Sequence, residues 1–242
     1  MPTLELQQLR ADLAAARAAL DDFAYVVSHD LRAQLRHITA YGELLRDELG
    51  SQLTGDASQF LNTMTEAAQQ MGRQIDGLKT WAQLDTLPLH PMAVDAAVLL
   101  AEVRQALAPE AQGRTVQWRI APDLPRLQGD PVLLRQLFTH LLSNALKFTR
   151  PRAIAAIDID AQAAPGGLVL VRVRDNGVGY NPAQQTKLFH VFQRLHSARQ
   201  FEGLGLGLAL AHKIVQRHGG GLAIEGTPDA GCCVSLTLPL AG

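Results

Sequence analysis

The first third of the chain carries apolar residues at helical spacing. The first row alternates steps of three and four residues: Leu6, Leu9, Leu13, Ala16, Leu20, Phe23 and Val27. This heptad pattern is typical of a helix that pairs with another helix. A second apolar row follows a turn over residues 50–55: Phe60, Met64, Ala67, Met71, Ile75, Leu78 and Ala82. The pattern predicts a long helical hairpin over residues 1–84.

The apolar row is irregular around His29. From Phe23 the steps become four, four and four, through Val27 and Leu31 to Leu35, and such a stutter locally unwinds a supercoil. His29 lies two residues beyond Val27 and is therefore turned about 200° away from the apolar row. We expect it to face solvent. Two helices this long cannot enclose a core alone, so we predict a homodimer whose hairpins form a four-helix bundle.

The rest of the chain mixes helical and strand patterns. Pro88 and Pro91 mark a hinge linker over residues 85–92. Beyond it we predict the following elements: helices over 95–108, 131–148 and 206–218, strands near 115–121, 153–163 and 168–175, and two final strands. The fold class is α+β, with the hairpin followed by an α/β sandwich domain over residues 93–242.

Composition and charge exclude several classes of protein and partner. The chain has 242 residues, 47% hydrophobic and 19% charged, so it is not disordered. A net charge of −1 and the lack of a basic block argue against nucleic acid and a membrane surface as partners. The chain has no membrane segment and no signal peptide by pattern, and its only cysteines, Cys232 and Cys233, are adjacent. We expect a cytoplasmic chain in a reducing compartment, without a metal cluster.

The first candidate for chemistry is the segment Ser28-His29-Asp30-Leu31-Arg32. An exposed imidazole followed by a carboxylate can act as a nucleophile, because the carboxylate holds the ring in the tautomer whose free nitrogen attacks. Taken alone, an outward-facing histidine on a helix is more often a solvated surface residue.

The second candidate is Asn144 with Lys147, on the helix predicted over 131–148. The neutral amide oxygen of Asn144 can bind Mg²⁺, and Lys147, on the same helix face, can reach a phosphate. An ordinary polar helix face is an equally good interpretation of these two residues alone.

The third candidate is Asp175-Asn176-Gly177-Val178-Gly179, at the end of the strand predicted over 168–175. The carboxylate of Asp175 can accept a hydrogen bond from an exocyclic amine such as that of adenine. The glycines allow the backbone to approach a flat ring. A simple turn is the alternative interpretation.

The fourth candidate is the run Gly203-Leu204-Gly205-Leu206-Gly207, which leads into a helix. Backbone amides at such a helix start suit a diphosphate or triphosphate. The run follows a polar loop rather than a strand and lacks a Gly-Lys-Ser/Thr ending, so it is neither a dinucleotide fingerprint nor a Walker loop.

In order and spacing, these four segments resemble sensor histidine kinases over nearly the whole chain. The resemblance implies ATP and Mg²⁺ as cofactors, His29 as phosphoacceptor with Asp30 beside it, and Arg194, at the end of the segment Leu188–Arg194, near the γ-phosphate. It implies a response regulator receiver domain as partner and an upstream sensor domain that is absent from this chain. The residues it assigns to the nucleotide, with Asn144 also holding the metal, are Asn144, Lys147, Phe148, Asp175, Gly177, Gly179, Tyr180, Arg194, Gly203, Leu204, Gly205, Leu206 and Gly207.

Finer details of the resemblance favour one subfamily. The short lid over residues 195–202, with Phe201 and His218-Gly219-Gly220, is most similar to kinases attached to phytochromes. Three positions depart from the family pattern: Gln34 replaces a proline, His140 an asparagine, and Ala33 a threonine or asparagine. In related kinases the residue at the last position orients the water that hydrolyses the receiver's phosphate.

Two other classes share some of these features. ATPases of the chaperone, gyrase and mismatch-repair type have the same Bergerat nucleotide fold and transfer phosphate to water, but they lack a histidine-bearing hairpin before it. A degenerate kinase that serves as a scaffold is the second alternative, although each segment keeps its main chemical group.

Overall fold

The computed structural model describes residues 2–197 and 200–242, and in the first helix the side chains of Gln8, Asp12 and Ala15 and all those from Ser28 onward. The chain divides into two compact units, Met1–Thr86 and Leu87–Gly242. The helices and strands in chain order are α1 (Pro2–Leu49), α2 (Gly55–Gln83), β1 (Met92–Val94), α3 (Ala96–Ala106), β2 (Thr115–Ile120), β3 (Leu127–Gly129), α4 (Pro131–Phe148), β4 (Ile154–Ala164), β5 (Leu168–Asp175), α5 (Gly207–Arg217), β6 (Leu222–Thr227) and β7 (Gly231–Pro239). Short 3-10 helices cover Gly50–Gln52, Ala108–Ala111 and Pro182–Lys187.

The first unit is an antiparallel helical hairpin. Helix α1 runs without interruption through Gln34, as expected where no proline removes a backbone hydrogen bond. Gly50 and Gly55 take positive φ angles of 46° and 56° in the turn, a conformation that glycine adopts without strain. The two helices approach closely at Gly42, where a Cβ atom would lie 2.8 Å from Thr65 Oγ1. Of the described helices, none has the length and apolar character needed to cross a membrane.

The contact between the two helices buries only part of the apolar pattern. Its buried residues include Leu35, Leu61 and Ala68. Most of the described large apolar side chains of the two rows stay exposed: Leu31, Ile38, Leu45 and Leu49 on α1, and Phe60, Met64 and Met71 on α2. The heptad row from Leu6 to Val27 lies in the part of α1 whose side chains are outside the described residues. A single hairpin therefore leaves an apolar face uncovered.

The second unit is a two-layer α/β sandwich. Its five-stranded mixed sheet has the order β2-β4-β5-β7-β6, in which only β2 and β4 run parallel. Strand β5 lies at the centre and pairs Val173 with Ile159 of β4 and with Val234 of β7. The predicted α+β class, with a helical hairpin followed by an α/β sandwich, is confirmed.

Alternation along the strands separates a buried face from a polar face. Alternate residues in the first half of β4 and along β5 are buried on the side of α4, which contributes fully buried Leu134, Leu137 and Phe138. The opposite face carries charged pairs such as Arg119 with Asp158, and Arg172 with Asp160. One apolar and one polar face is the usual arrangement where helices cover only one side of a sheet.

A second, two-stranded sheet was not predicted. Strand β1 pairs antiparallel with β3, which places Val94 opposite the fully buried Leu127. Strands of three residues are too short for alternation to identify them. Two further bonds hold the end of the predicted linker against this unit: Arg217 donates to the carbonyl of Leu87, and His90 N donates to Asp130 Oδ2 at 3.1 Å.

Candidate functional site

The first candidate group lies on the hairpin. The side chains of His29 and Asp30 are 65% and 75% exposed, and His29 Nδ1 lies 3.2 Å from Asp30 Oδ1. When Nδ1 carries the proton and donates to the carboxylate, Nε2 keeps its lone pair and points away from the acid. The histidine is thus accessible, with a polarising neighbour beside it.

The second candidate group lies on α4, in the sandwich unit. Asp130 caps the helix by accepting from Val132 N and Leu133 N at 3.0 and 3.2 Å, and Pro131 at the first position suits a helix start. Near the other end, Lys147 Nζ donates to Asn144 Oδ1 at 3.0 Å. The two side chains therefore share one helix face.

The charged form of Lys147 is destabilised by its surroundings. Burial lowers the pKa of its ammonium, and the neighbouring charges of Arg194 and Arg150 lower it further, whereas Glu202 raises it. Its Nζ lies 4.5 Å from the centre of the Phe148 ring. A partly desolvated cation among other cations favours the binding of an anion.

His140 lies one helical turn before Asn144. Burial lowers the pKa of its imidazole to about 4, so the ring is neutral. Its buried Nε2 has no hydrogen-bond partner among the residues that the structure describes. A Cβ atom on Gly207 would lie 3.6 Å from His140 Nδ1 and 3.7 Å from Asn144 Nδ2, so α4 and the start of α5 converge here.

These groups fit a hydrated Mg²⁺. The amide oxygen of Asn144 is a ligand of the type that Mg²⁺ prefers, and the unpartnered nitrogen of His140 can accept from a water of its hydration shell. This observation supports a magnesium site on α4, with Asn144 as the predicted ligand.

The third candidate group lies at the end of β5. Asp175 Oδ1 accepts from Gly177 N at 2.8 Å. Burial raises the pKa of this carboxyl to about 6, and its backbone hydrogen bonds from Gly177 and Cys232 counteract part of that shift. The carboxylate is therefore poorly solvated at neutral pH, and a donor such as an exocyclic amine would stabilise it.

Backbone crowding explains the glycines that follow Asp175. A Cβ atom on Gly177 would lie 2.7 Å from the carbonyl oxygen of Phe148. Gly179 has φ of 60°, and a Cβ atom there would lie 1.9 Å from Thr227 O. Neither position has room for a side chain, so the backbone packing around this segment requires both glycines.

Tyr180 differs from the other residues assigned to the nucleotide. It is 7% exposed, and its hydroxyl donates to Ile224 O at 2.9 Å. A Cβ atom on Gly226 would lie 2.5 Å from its ring, so the ring packs tightly on β6. The structure therefore buries Tyr180 against β6, where it supports the backbone and its hydroxyl is already engaged.

The glycine run forms the entrance to α5. Gly203 and Gly205 have φ angles of 134° and 72°, and Phe192 N donates to Gly205 O at 2.9 Å. The helix starts at Gly207, and no side chain caps its first turn. Free backbone N–H groups and the positive end of the helix dipole make this start a suitable anion site. Leu204 is half-buried, and Leu206 is 5% exposed, which anchors the run to the core.

The lid segment packs against Phe148. The centre of the Phe148 ring lies 5.3 Å from that of the His196 ring and 5.1 Å from that of the Phe201 ring, and the His196 and Phe201 ring centres are 5.3 Å apart. His196 Nε2 lies 2.9 Å from Gly179 O, and Arg194 donates to Phe201 O. Residues 198 and 199 of the predicted lid lie outside the described residues. In this arrangement the guanidinium of Arg194 faces the lid backbone and lies within electrostatic range of Lys147.

Arg152 also belongs to this site, although no sequence pattern identified it. It donates to Asn176 O at 2.7 Å, to Gly177 O at 2.8 Å and to Asp229 O at 2.6 Å. One guanidinium thus joins the loop after Asp175 to the β6–β7 turn. Its partners are backbone carbonyls, which any residue has, so the sequence carries no signal for this role.

The comparisons with known proteins agree with this geometry. Residues 19–87 match the family model described as "His Kinase A (phospho-acceptor) domain". Residues 129–242 match that described as "Histidine kinase-, DNA gyrase B-, and HSP90-like ATPase".

Curated relatives and a solved structure point to the same family. Cyanobacterial phytochrome A of Nostoc sp. is 35% identical over 98% of this chain, and the phytochrome-like protein Cph1 of Synechocystis sp. is 30% identical over 98%. The chain spans 31% of the length of each. The crystal structure of full-length ShkA in complex with AMPPNP is 25% identical, with a TM-score of 0.68 over 91% of this chain and 46% of that one. The chain therefore belongs to the sensor histidine kinases, of which it carries the catalytic core.

Proposed function

We propose that this chain transfers the γ-phosphoryl group of ATP to its own His29 and then to an aspartate of a response regulator receiver domain. The observation that carries the proposal is the exposed His29 and Asp30 pair on a helical hairpin, in one chain with a nucleotide site built around Asp175, Asn144 and Lys147. An ATPase that transfers phosphate to water does not require the exposed His29 and Asp30 pair.

The proposed reaction is an in-line displacement. His29 Nε2 forms a bond to the γ-phosphorus while the bond from that phosphorus to the β,γ-bridging oxygen breaks, and ADP leaves. Asp30 holds the proton on Nδ1 and stabilises the positive charge that develops on the ring. Lys147, Arg194 and the start of α5 orient and neutralise the phosphate chain. When bound at Asn144, Mg²⁺ would supply further charge neutralisation on the phosphates.

The uncovered apolar face supports a homodimer. The described large apolar side chains left exposed on the hairpin include Leu31, Ile38 and Leu45 on one face of α1. A second hairpin would bury them and complete a four-helix bundle. The linker over residues 85–92 is the proposed hinge that lets the nucleotide reach a histidine. We place the protein in the cytoplasm, where ATP is the phosphoryl donor.

One assay separates the kinase from both alternatives. Purified chain is incubated with γ-labelled Mg·ATP, and protein label and free phosphate are followed together. The kinase gives a protein label that survives base and is lost in acid, because protonation of a phosphoramidate nitrogen makes it a good leaving group. Free phosphate without protein label would indicate an ATPase, and neither product would indicate a scaffold.

Ala33 predicts weak phosphatase activity toward the receiver. It lies one helical turn beyond His29, and its methyl group can neither donate nor accept a hydrogen bond to a water. We expect His29→Gln, which cannot take the phosphoryl group back, to leave the lifetime of a phosphorylated receiver unchanged. Adding Ala33→Thr should shorten that lifetime about tenfold, the effect of orienting one water. Marked shortening by His29→Gln alone would contradict the prediction.

A further inference from the structure

Glu202 forms an ion pair at the edge of the nucleotide site. Its two carboxylate oxygens accept from the two terminal nitrogens of Arg150. Glu202 directly precedes the glycine run. Arg150 lies two residues beyond the end of α4, and its backbone N donates to Lys147 O at 3.2 Å. The pair therefore joins the two segments that are proposed to hold the phosphate chain.

The surroundings of this pair are rich in positive charge. Burial lowers the pKa of Lys147, and the charges of Arg194 and Arg150 lower it further. Burial also lowers the pKa of Arg114, again with a contribution from the charge of Arg150. The pKa of Glu202 falls to about 2, first through its hydrogen bonds with Arg150 and also through the charges of Arg150 and Lys147.

A second carboxylate, that of Glu110, also acts on Lys147 and Arg150, but it accepts a hydrogen bond from Ser143 at 2.8 Å. Four cations thus face two carboxylates, of which Glu202 is the one bound to Arg150. The excess of positive charge suits a polyanion.

We propose that Arg150 is a further phosphate-binding residue of this site, and that Glu202 competes with the nucleotide phosphates for it. The proposal rests on the proposed function, because it assumes that the phosphate chain enters beside Lys147 and the glycine run. The planar guanidinium binds a carboxylate and a phosphate in the same two-point geometry. One partner can therefore replace the other without a change in the position of Arg150.

Because the pair is exposed, breaking it costs little free energy. The side chains of Arg150 and Glu202 are 41% and 64% exposed. Solvent therefore screens the pair, and although its two-point geometry makes it stronger than most exposed ion pairs, its contribution to stability stays modest. A phosphate group carries more charge than a carboxylate and has more acceptor oxygens, so it displaces Glu202 from Arg150. Glu202 therefore lowers nucleotide affinity, and Arg150 raises it.

Calorimetric titration of the whole chain with ATP, ADP and adenosine tests the exchange. We expect Glu202→Gln to bind ATP and ADP about threefold to fivefold more tightly, the effect of removing an exposed pair. Arg150→Ala should bind both about tenfold more weakly, the effect of losing a charge-assisted bidentate contact. Adenosine, which has no phosphate, should bind all variants equally.

The double variant and a matched control complete the test. The gain from Glu202→Gln should vanish when Arg150→Ala is also present, because the carboxylate acts through that guanidinium. Arg119→Ala removes a similar two-point pair, with Asp158, on the far face of the sheet and should leave ATP affinity unchanged. Tighter ATP binding by Arg150→Ala would overturn the proposal, since Arg150 would then hold Glu202 in place without binding phosphate.

The result for the unmutated chain separates this inference from the proposed function. If that chain binds ATP and both single variants match it, the exchange is wrong and the kinase proposal stands. If the unmutated chain does not bind ATP, the proposed function fails and this inference fails with it.

Discussion

His29→Gln is expected to abolish the acid-labile protein label obtained with γ-labelled Mg·ATP. Glutamine keeps the helix and a polar exposed side chain, but it has no nucleophilic ring nitrogen, so no phosphoramidate forms. The nucleotide site lies in the other structural unit, so the variant should bind ATP with unchanged affinity. Label retained by His29→Gln at the level of the unmutated chain would show that the phosphoacceptor is another residue.

His37 offers a matched control for this experiment. It lies on the same helix and is also exposed, but it has no carboxylate as its next neighbour, since Ile38 follows it. We expect the His37→Gln variant to take up as much acid-labile label as the unmutated chain. Parallel loss of label in both variants would point to damage to the helix rather than to removal of the nucleophile.

Asp175→Asn is expected to weaken ATP binding about tenfold and to stabilise the fold. The weaker binding follows because a neutral amide oxygen accepts a hydrogen bond less strongly than a carboxylate, by about 1–2 kcal/mol. The gain in stability follows because burial raises the pKa of Asp175 to about 6, above its value in the unfolded chain. The folded state therefore binds the proton more tightly, and its stability falls as the pH rises from about 4 through 6.

At neutral pH the ionised carboxylate costs about 3 kcal/mol of stability, which asparagine removes. Thermal unfolding at pH 7 and pH 4.5 checks the sign: the difference in Tm between the variant and the unmutated chain should be larger at pH 7. ATP affinity of the unmutated chain should also fall as the pH drops through 6, because the protonated carboxyl is a poorer acceptor. Unchanged affinity in Asp175→Asn would place the purine elsewhere.

Asp160→Asn is the control with the opposite sign. Asp160 lies on the polar face of the sheet, where bonds from Arg172 and Arg174 outweigh its burial and lower its pKa. Its contribution to stability is present above the unfolded pKa and is lost in acid, so Asp160→Asn should lower Tm at pH 7. Its ATP affinity should not change, because it contacts only those arginines and faces away from the helices.

Local patterns in the sequence were sufficient to predict the main helices and strands. Helix α4 and strand β5 have the bounds that the sequence predicts, Pro131–Phe148 and Leu168–Asp175. Both are long enough to show a clear period, and Asp130 and Pro131 mark the helix start by chemistry that acts over a few residues. The same holds for the four segments that carry the candidate chemistry, because each is a contiguous run whose spacing can be measured along the chain.

The hairpin shows where the pattern alone is ambiguous. The apolar spacing identifies two helices, but it does not say which apolar residues meet within one hairpin. The structure buries Leu35, Leu61 and Ala68 and leaves Leu31 and Ile38 exposed. The two helices also approach closely at Gly42, and such contacts between side chains and grooves favour one rotation of each helix about its axis.

The sequence by itself thus determined the main helices and the five strands of the larger sheet, and it supplied the candidate groups for a nucleotide and for a phosphoryl transfer. Only the tertiary structure decided how those groups are held. Arg152 reaches carbonyls 24, 25 and 77 residues away, and Arg150 meets Glu202 across 52 residues. Burial likewise sets the pKa of Asp175 and leaves the ring of His140 neutral. Such contacts and shifts depend on which segments the folded sheet and helices bring together, and no spacing along the chain encodes that proximity.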